Sequence, residues 1–208
     1  MTTIYLTRHS IPDKNQKLTR EGVIKAIDFL KNNEFNDVSH IYTSNFDRTK
    51  ETGLILNKGI IIDNRLGERI AGTPDTNITK NEYYYRQMID ENYKFPNGES
   101  RLEIQNRMYS SIMDIVKNNK DEKILVISHG AAMTFLLMKF CDVEMIDISN
   151  KIRRIEFNDK IIFENKFDYL ETFKLTFDEY ELVSIESVGN INGYIQYKGK
   201  TRIYRRCC

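Results

Sequence analysis

Through the first 140 residues, short apolar runs rich in β-branched residues alternate with stretches whose apolar positions recur every three or four residues. The first pattern belongs to strands, the second to helices packed on one face. Thr3 to Leu6 predicts a strand. Leu18 to Gly22 then leads into Val23, Ile27 and Leu30, spaced for one helical face, with Thr19 as the N-cap. His40 to Tyr42 predicts a second strand. Asn45 is placed to cap a helix from Phe46 towards Leu56, with Gly59 just past its end. Ile60 to Ile62 is apolar on both faces, as a buried parallel strand should be.

Residues 64–98 have no sustained period and predict a loop, a short helix near 80–92 and a second loop at Pro96-Asn97-Gly98. From Ser100 a long helix is signalled by Ile104, Met108, Ile112 and Ile115, which make one apolar stripe. Lys123 to Ile127 predicts a fourth strand and Gly130 to Cys141 the helix after it. Beyond 150 the pattern turns β-rich, around 152–163, 173–178 and 181–188, with a last hairpin at Asn192-Gly193. There are no internal repeats. Strands alternating with helices imply an α/β layered fold with a mostly parallel sheet.

Composition narrows the class. At 208 residues, with 40% hydrophobic and 29% charged residues and only ten Gly and three Pro, the chain is long enough for a sizeable core and is not low-complexity. No apolar run approaches the length of a membrane span, and the first residues lack a signal-peptide pattern, so a cytoplasmic globular protein is expected. Thirty-one basic against thirty acidic residues give +1 overall, without the basic excess of a nucleic-acid binder. Residues 189–208 nevertheless hold Lys198, Lys200, Arg202, Arg205, Arg206 and no acid. Three cysteines form no disulfide framework and no metal knuckle. Cys141 reads as plain core, and Cys207-Cys208 as a terminal pair.

Ligands of such sheets bind beyond the carboxyl ends of the strands. The first strand ends in Thr7-Arg8-His9-Ser10 and the fourth in Ile127-Ser128-His129-Gly130, which uses two of the three histidines in the chain. Arg48 follows the second strand, and Arg65-Leu66-Gly67-Glu68-Arg69 the third. Clustered arginine beside imidazole fits a phosphate dianion, because guanidinium offers forked donors and keeps its proton.

These blocks carry a family resemblance. Ile4 to Ser10 resembles the L-x-R-H-G signature of the histidine phosphatase (phosphoglycerate mutase-like) superfamily. Leu18-Thr19 with Gly22 is similar to its L-T-x-x-G helix start. Ser44 to Thr52 with Arg48 resembles its S-x-x-x-R-x-x-x-T block. Leu66-Gly67-Glu68-Arg69 with Gly72 resembles the segment that carries the acid. Asn97-Gly98-Glu99-Ser100 and Ser128-His129-Gly130 resemble its G-E-S and second-histidine motifs. The resemblance covers residues 4–130 and runs loosely to about 188. It implies a three-layer sandwich, a catalytic domain over 1–188 and a basic extension, not a separate domain, over 189–208.

The same resemblance implies a phosphomonoester hydrolase of small phosphorylated metabolites. His9 would be the nucleophile, forming a phosphohistidine; Arg8, Arg48 and protonated His129 would hold the phosphoryl oxygens, and Glu68 would be the general acid. Arg69, Gly130, Ser10 and Asn15 are further candidates for substrate or phosphate contact. No metal ligand set and no cofactor are expected, and a phosphate or sulfate ion should fit the site. Two departures stand out: Ser10 replaces the usual glycine, and only eight residues separate His9 from Leu18. The short loop points to a phosphatase rather than a mutase.

Other readings stay open at this level. Asp75 competes with Glu68 as the acid, and Glu68 could simply pair with Arg69. His129 could serve only as a helix cap, and His40 reads as an ordinary residue at a strand start. Mutase-type phosphoryl transfer is one alternative. Another is an impaired family member that binds phospholigands or nucleic acid through a tail in which Tyr194, Tyr197 and Tyr204 interleave with basic residues. A solvated edge hairpin is the plainer account of that tail.

Overall fold

A computed structural model of the chain describes residues 1–31 and 33–188. The basic stretch 189–208, with the expected hairpin at Asn192-Gly193, lies outside the described residues. The elements, in order, are β1 (Thr2–Arg8), α1 (Arg20–Leu30), β2 (His40–Thr43), α2 (Asp47–Leu54), β3 (Ile60–Ile62), α3 (Lys80–Ile89) and α4 (Arg101–Asn118). They continue with β4 (Lys123–Ser128), α5 (Gly130–Leu137), β5 (Asp142–Asp147), β6 (Ile152–Phe157), β7 (Lys160–Asn165), β8 (Thr172–Asp178) and β9 (Glu181–Val188). No described helix is long and apolar enough to cross a membrane.

Six strands form the main sheet in the order β3-β2-β4-β1-β8-β9. The first four are mutually parallel, and β8 and β9 add an antiparallel flank. Alternation along β4 makes the three layers. Ile124 and Val126 join Ile4 and Leu6 against α4 and α5, while Leu125 and Ile127 join Tyr5, Ile41 and Leu30 on the opposite face. The predicted stripe of α4, Ile104 to Ile115, is buried, and Ser100 closes a reciprocal capping box with Glu103 at its start. A second sheet, β5-β6-β7, is antiparallel. The expected α/β architecture with its β-rich C-terminal part is therefore present.

Several elements differ from expectation for identifiable reasons. Strand β3 is an edge strand, with Ile62 53% exposed, so its apolar run does not mark a central position. Helix α1 is capped by Thr19 as expected, but it turns Gly22, Ala26 and Leu30 inward and leaves Ile27 partly exposed. Close packing at Gly22 sets that rotation. Helix α2 starts at Asp47, after Phe46 rather than after Asn45, and no side chain caps it. The Phe46 ring lies instead under Arg48 and against His129. Helix α5 ends at Leu137, short of Cys141, because residues 138–141 turn the chain into β5, which only Val143 and Met145 signal by burial.

The loop after β1 rests on the start of α1. A β-carbon at Gly22 would lie 2.4 Å from the carbonyl oxygen of Ile11, and Ser10 Oγ donates to the Gly22 carbonyl at 2.7 Å. Backbone meets backbone here, so relief requires moving the loop that follows His9. We therefore expect Gly22→Ala to cost about 1–3 kcal/mol by chemical denaturation. A variant as stable as the wild type would mean that the loop yields freely.

Candidate active site

Parallel pairing brings the two histidines together. Arg8 pairs with Ser128 at the ends of β1 and β4, and the next residues are His9 and His129. The His9 amide donates to the Ser128 carbonyl at 3.0 Å, and the two imidazoles meet edge to face with centroids 5.2 Å apart and planes at 61°. Strand β2 runs beside β4 and ends level with it, which delivers Ser44 and then Arg48, in the first turn of α2, to the same place.

Both rings are oriented by partners that fix their tautomers. His9 Nδ1 lies 2.7 Å from the Ser10 carbonyl, which only accepts, so Nδ1 carries the hydrogen. Nε2 keeps a lone pair, which accepts from Arg48 Nε at 3.1 Å. His129 Nδ1 accepts from Arg48 Nη2 at 2.9 Å and Nε at 3.2 Å, leaving its Nε2–H to donate to Ser44 Oγ at 2.8 Å. Its ring makes no capping bond to α5. The two rings are 5% and 0% exposed, and Arg48 is 7% exposed. Burial, opposed by the Ser10 contact and reinforced by Arg48 and Arg8, pushes the His9 imidazole down to about 3. Burial, then His9 and Arg48, holds His129 far below the ordinary histidine range. Both accept from Arg48 and are held neutral in this arrangement; the protonated His129 that the resemblance implies would belong to the encounter with a phosphoryl group.

Arg8 donates through Nη1 to the Phe167 carbonyl at 2.7 Å and stacks 4.4 Å from the Tyr169 ring centroid, and its buried Nε has no partner among the described residues. Glu68 accepts from the Arg69 amide at 2.9 Å and from the Ala132 amide, in the first turn of α5, at 3.3 Å. It does not pair with the Arg69 guanidinium, which instead reaches Gln87 Oε1 at 2.7 Å and the Tyr83 ring. Glu68, Arg69 and Gly130 join Arg8 in lining a cavity of about 520 Å³. Asp75 does not line it: it is exposed, and its carboxylate accepts from the Asn77 amide.

Two candidates point elsewhere. The Ser10 hydroxyl is taken by Gly22, so this residue contributes its carbonyl, on His9, rather than its side chain. Asn15 is exposed in a turn, while the adjacent Gln16, at φ 69, sends its amide oxygen to Arg48 Nη1. Gln16 was not anticipated, and neither were three others. Tyr169 has its centroid 5.9 Å from that of His9. Arg107 donates to the carbonyls of Arg65, Gly67 and Glu68 while paired with Glu99. Arg153 sits in the cavity wall. His40 matches its plain reading, pairing with Glu122 at the surface. Among the described residues, no group of three or more His, Cys, Asp or Glu side chains converges as metal ligands do.

An α/β sandwich whose parallel strand ends present paired imidazoles bridged by arginine defines a phosphoryl-handling class of protein. The chain belongs to the histidine phosphatase superfamily (branch 1), whose family model matches residues 4–156. Curated relatives include a protein of Escherichia fergusonii named Probable phosphoglycerate mutase GpmB, 27% identical over 66% of this chain and 74% of that protein. A namesake from Proteus mirabilis is 28% identical over the same shares. Among solved structures, Bacillus stearothermophilus YhfR has a TM-score of 0.65 at 21% identity, covering 92% of this chain and 98% of its own. A phosphoserine phosphatase mutant of Entamoeba histolytica, solved with phosphoserine, has a TM-score of 0.63 at 17% identity, covering 89% and 97%. At these identities the structural likenesses show the fold.

The depressed imidazole gives a sign to the pH dependence of stability. Between pH 6.5 and about 3 the unfolded chain protonates His9 more than the folded one, so its contribution is whole above pH 6.5 and declines as pH falls. Replacing it by a neutral amide removes this linkage. From pH 7 to 4.5 the wild type should lose roughly 2 kcal/mol more unfolding free energy than His9→Asn. Parallel losses in urea titrations of the two proteins would show that His9 is not held neutral.

Proposed function

We propose that residues 1–188 form a metal-independent phosphomonoester hydrolase acting through a phosphohistidine on small phosphorylated metabolites, with 189–208 as a basic extension. The observation that carries this reading is the tautomer of His9. Nδ1–H is tied to the Ser10 carbonyl, and the lone pair sits on Nε2, where it accepts from Arg48 Nε. A nucleophile must be unprotonated, and burial keeps this one so across the physiological range.

In this mechanism Nε2 attacks phosphorus as the P–O bond to the leaving group breaks, and Glu68 delivers a proton to the departing oxygen. Water then attacks the phosphohistidine as the P–N bond breaks, and Glu68 takes the proton from water. Arg48 exchanges its imidazole acceptors for phosphoryl oxygens, joined by Arg8, whose Nε awaits an acceptor. Once Arg48 is drawn to the anion, His129 Nδ1 is free to take a proton and donate it as a third hydrogen bond to the phosphoryl group. These cations stabilise charge on the equatorial oxygens. The mutase names of the curated relatives favour phosphoryl transfer as a second reading. The short loop after His9 favours hydrolysis. There Pro12 bridges to Leu18, and Gln16 lies on Arg48.

With EDTA present, the wild type should hydrolyse 4-nitrophenyl phosphate, and brief incubation with a labelled phosphomonoester should leave acid-labile, alkali-stable label on the protein. His9→Ala should abolish both. A requirement for added divalent ion, or label on a peptide lacking His9, would refute the mechanism.

The acid is tested by leaving group. Nitrophenolate departs without a proton, whereas an alkoxide needs one, and removing a general acid costs about 10² to 10⁴ in rate. Glu68→Gln should therefore lose far more activity on an alkyl phosphate than on 4-nitrophenyl phosphate. Asp75→Asn should retain activity on both. The reverse pattern would move the acid to the loop around Pro74.

A further inference from the structure

We propose that Arg153 is a specificity-determining residue that binds a second anionic group of the substrate, so that the favoured substrates are phosphomonoesters bearing a carboxylate or a further phosphate. This rests on the reading of the site as a phosphomonoester hydrolase.

Arg153 belongs to β6, in the small antiparallel sheet, outside the motif blocks of the parallel sheet. Its side chain is buried, with the residue only 4% exposed, yet among the described residues no carboxylate pairs with it, and Glu144 and Glu164 on the flanking strands pair with the adjacent Arg154 instead. Thr134 Oγ1 and the Lys151 carbonyl take its two terminal nitrogens, its guanidinium lies 4.3 Å from the Phe167 ring centroid, and its buried Nε has no partner among the described residues. Burying a guanidinium without an anion is costly, and an unsatisfied N–H adds to the cost. An anion bound here would supply both the acceptor for Nε and the countercharge.

The position of this group decides what the anion is. Phe167 carries Arg153 on its ring and Arg8 on its carbonyl, so one residue holds both guanidiniums. Arg8, at the end of β1 beside His9, serves the transferred phosphoryl group. Arg153 reaches the cavity from a different element, together with Lys151 and the exposed Lys166. The full lining holds Arg8, Arg69, Lys80, Lys151, Arg153 and Lys166 against one carboxylate, Glu68. One phosphoryl dianion is met by Arg8 and Arg48. The remaining cations call for a second negative group in the cavity of about 520 Å³, which has room for a small metabolite.

The test compares 3-phosphoglycerate and fructose 1,6-bisphosphate, which carry a second anion, with glycerol 3-phosphate, which does not. Wild-type KM should be at least tenfold lower for one of the first two, and which one identifies carboxylate or phosphate. Arg153→Met should raise that KM about tenfold to a hundredfold with kcat changed less than threefold, and leave the KM for glycerol 3-phosphate within twofold. Arg153→Lys should recover part of the difference. If Arg153→Met fails to fold, the exposed pair Lys151→Ser/Lys166→Ser should reduce the same discrimination severalfold. Equal effects on all three substrates, or no wild-type preference, would overturn the inference while leaving the hydrolase reading intact. If no ester is turned over, the hydrolase reading falls, and calorimetric titration of the same three compounds still decides whether Arg153 binds a second anion.

Discussion

A single guanidinium, that of Arg48, lies between the lone pairs of two buried neutral imidazoles, and the rest of the site is arranged around that bridge. His9 Nε2 and His129 Nδ1 are acceptors removed from water, and each would be costly if left unpaired. Arg48 satisfies both, and its charge disfavours protonation of either. The guanidinium is in turn held by Gln16 on one side and by the face of Phe46 on the other. Nothing in this arrangement is fixed by helix propensity or strand pairing alone. It follows from three parallel strands that end level with one another, each releasing its next residues into the same crevice.

The supporting layer explains why the motif residues are these types at these places. Ser44 accepts from His129, and Thr49 backs Ser44 through its hydroxyl at 2.8 Å. Thr52 takes the Ser10 amide at 3.1 Å, which steadies the carbonyl that orients His9. Glu99 holds Arg107, and Arg107 gathers the carbonyls of Arg65, Gly67 and Glu68. The loop bearing Glu68 is therefore fixed to α4 through its backbone, while its carboxylate stays on the cavity wall. Serine in place of glycine after His9 fits because its hydroxyl finds the Gly22 carbonyl within the fold.

Much of this was legible in the sequence, and the limits are physical. Strands β1, β2 and β4 and the stripe of α4 follow from short-range periodicity, and with them the convergence of His9, Arg48 and His129. The edge position of β3 was not legible, because three isoleucines fill an edge strand as readily as a central one. Strand β5 was missed because only two of its residues are buried. Gln16 and Arg153 were missed for a different reason. Their roles come from tertiary placement, one through a left-handed turn and the other through a strand of the second sheet, and no local pattern encodes either. Asn15 faces solvent in the turn while its neighbour Gln16 reaches Arg48, a difference of one residue that only the turn geometry decides.

The electrostatic character of the cavity follows from the same placement. Glu68 is turned onto backbone amides, of Arg69 and of the start of α5, rather than onto a guanidinium. Its charge still favours the protonated forms of Arg8 and Arg48 at a distance, but it forms no direct ion pair with either. Arg8 and Arg48 both hold their protons less strongly than free arginine, chiefly through burial, yet a guanidinium is so much stronger a base than the imidazoles beside it that both stay charged. Two buried guanidiniums, two neutral imidazoles and a carboxylate held by amides leave a net positive interior at the strand ends. Such an interior is less stable on its own than one with paired charges, and an anion that satisfies the open donors removes that deficit. Binding and stability are thus coupled through the same groups: the features that make the site imperfect as a protein core are those on which the proposed phosphoryl binding rests.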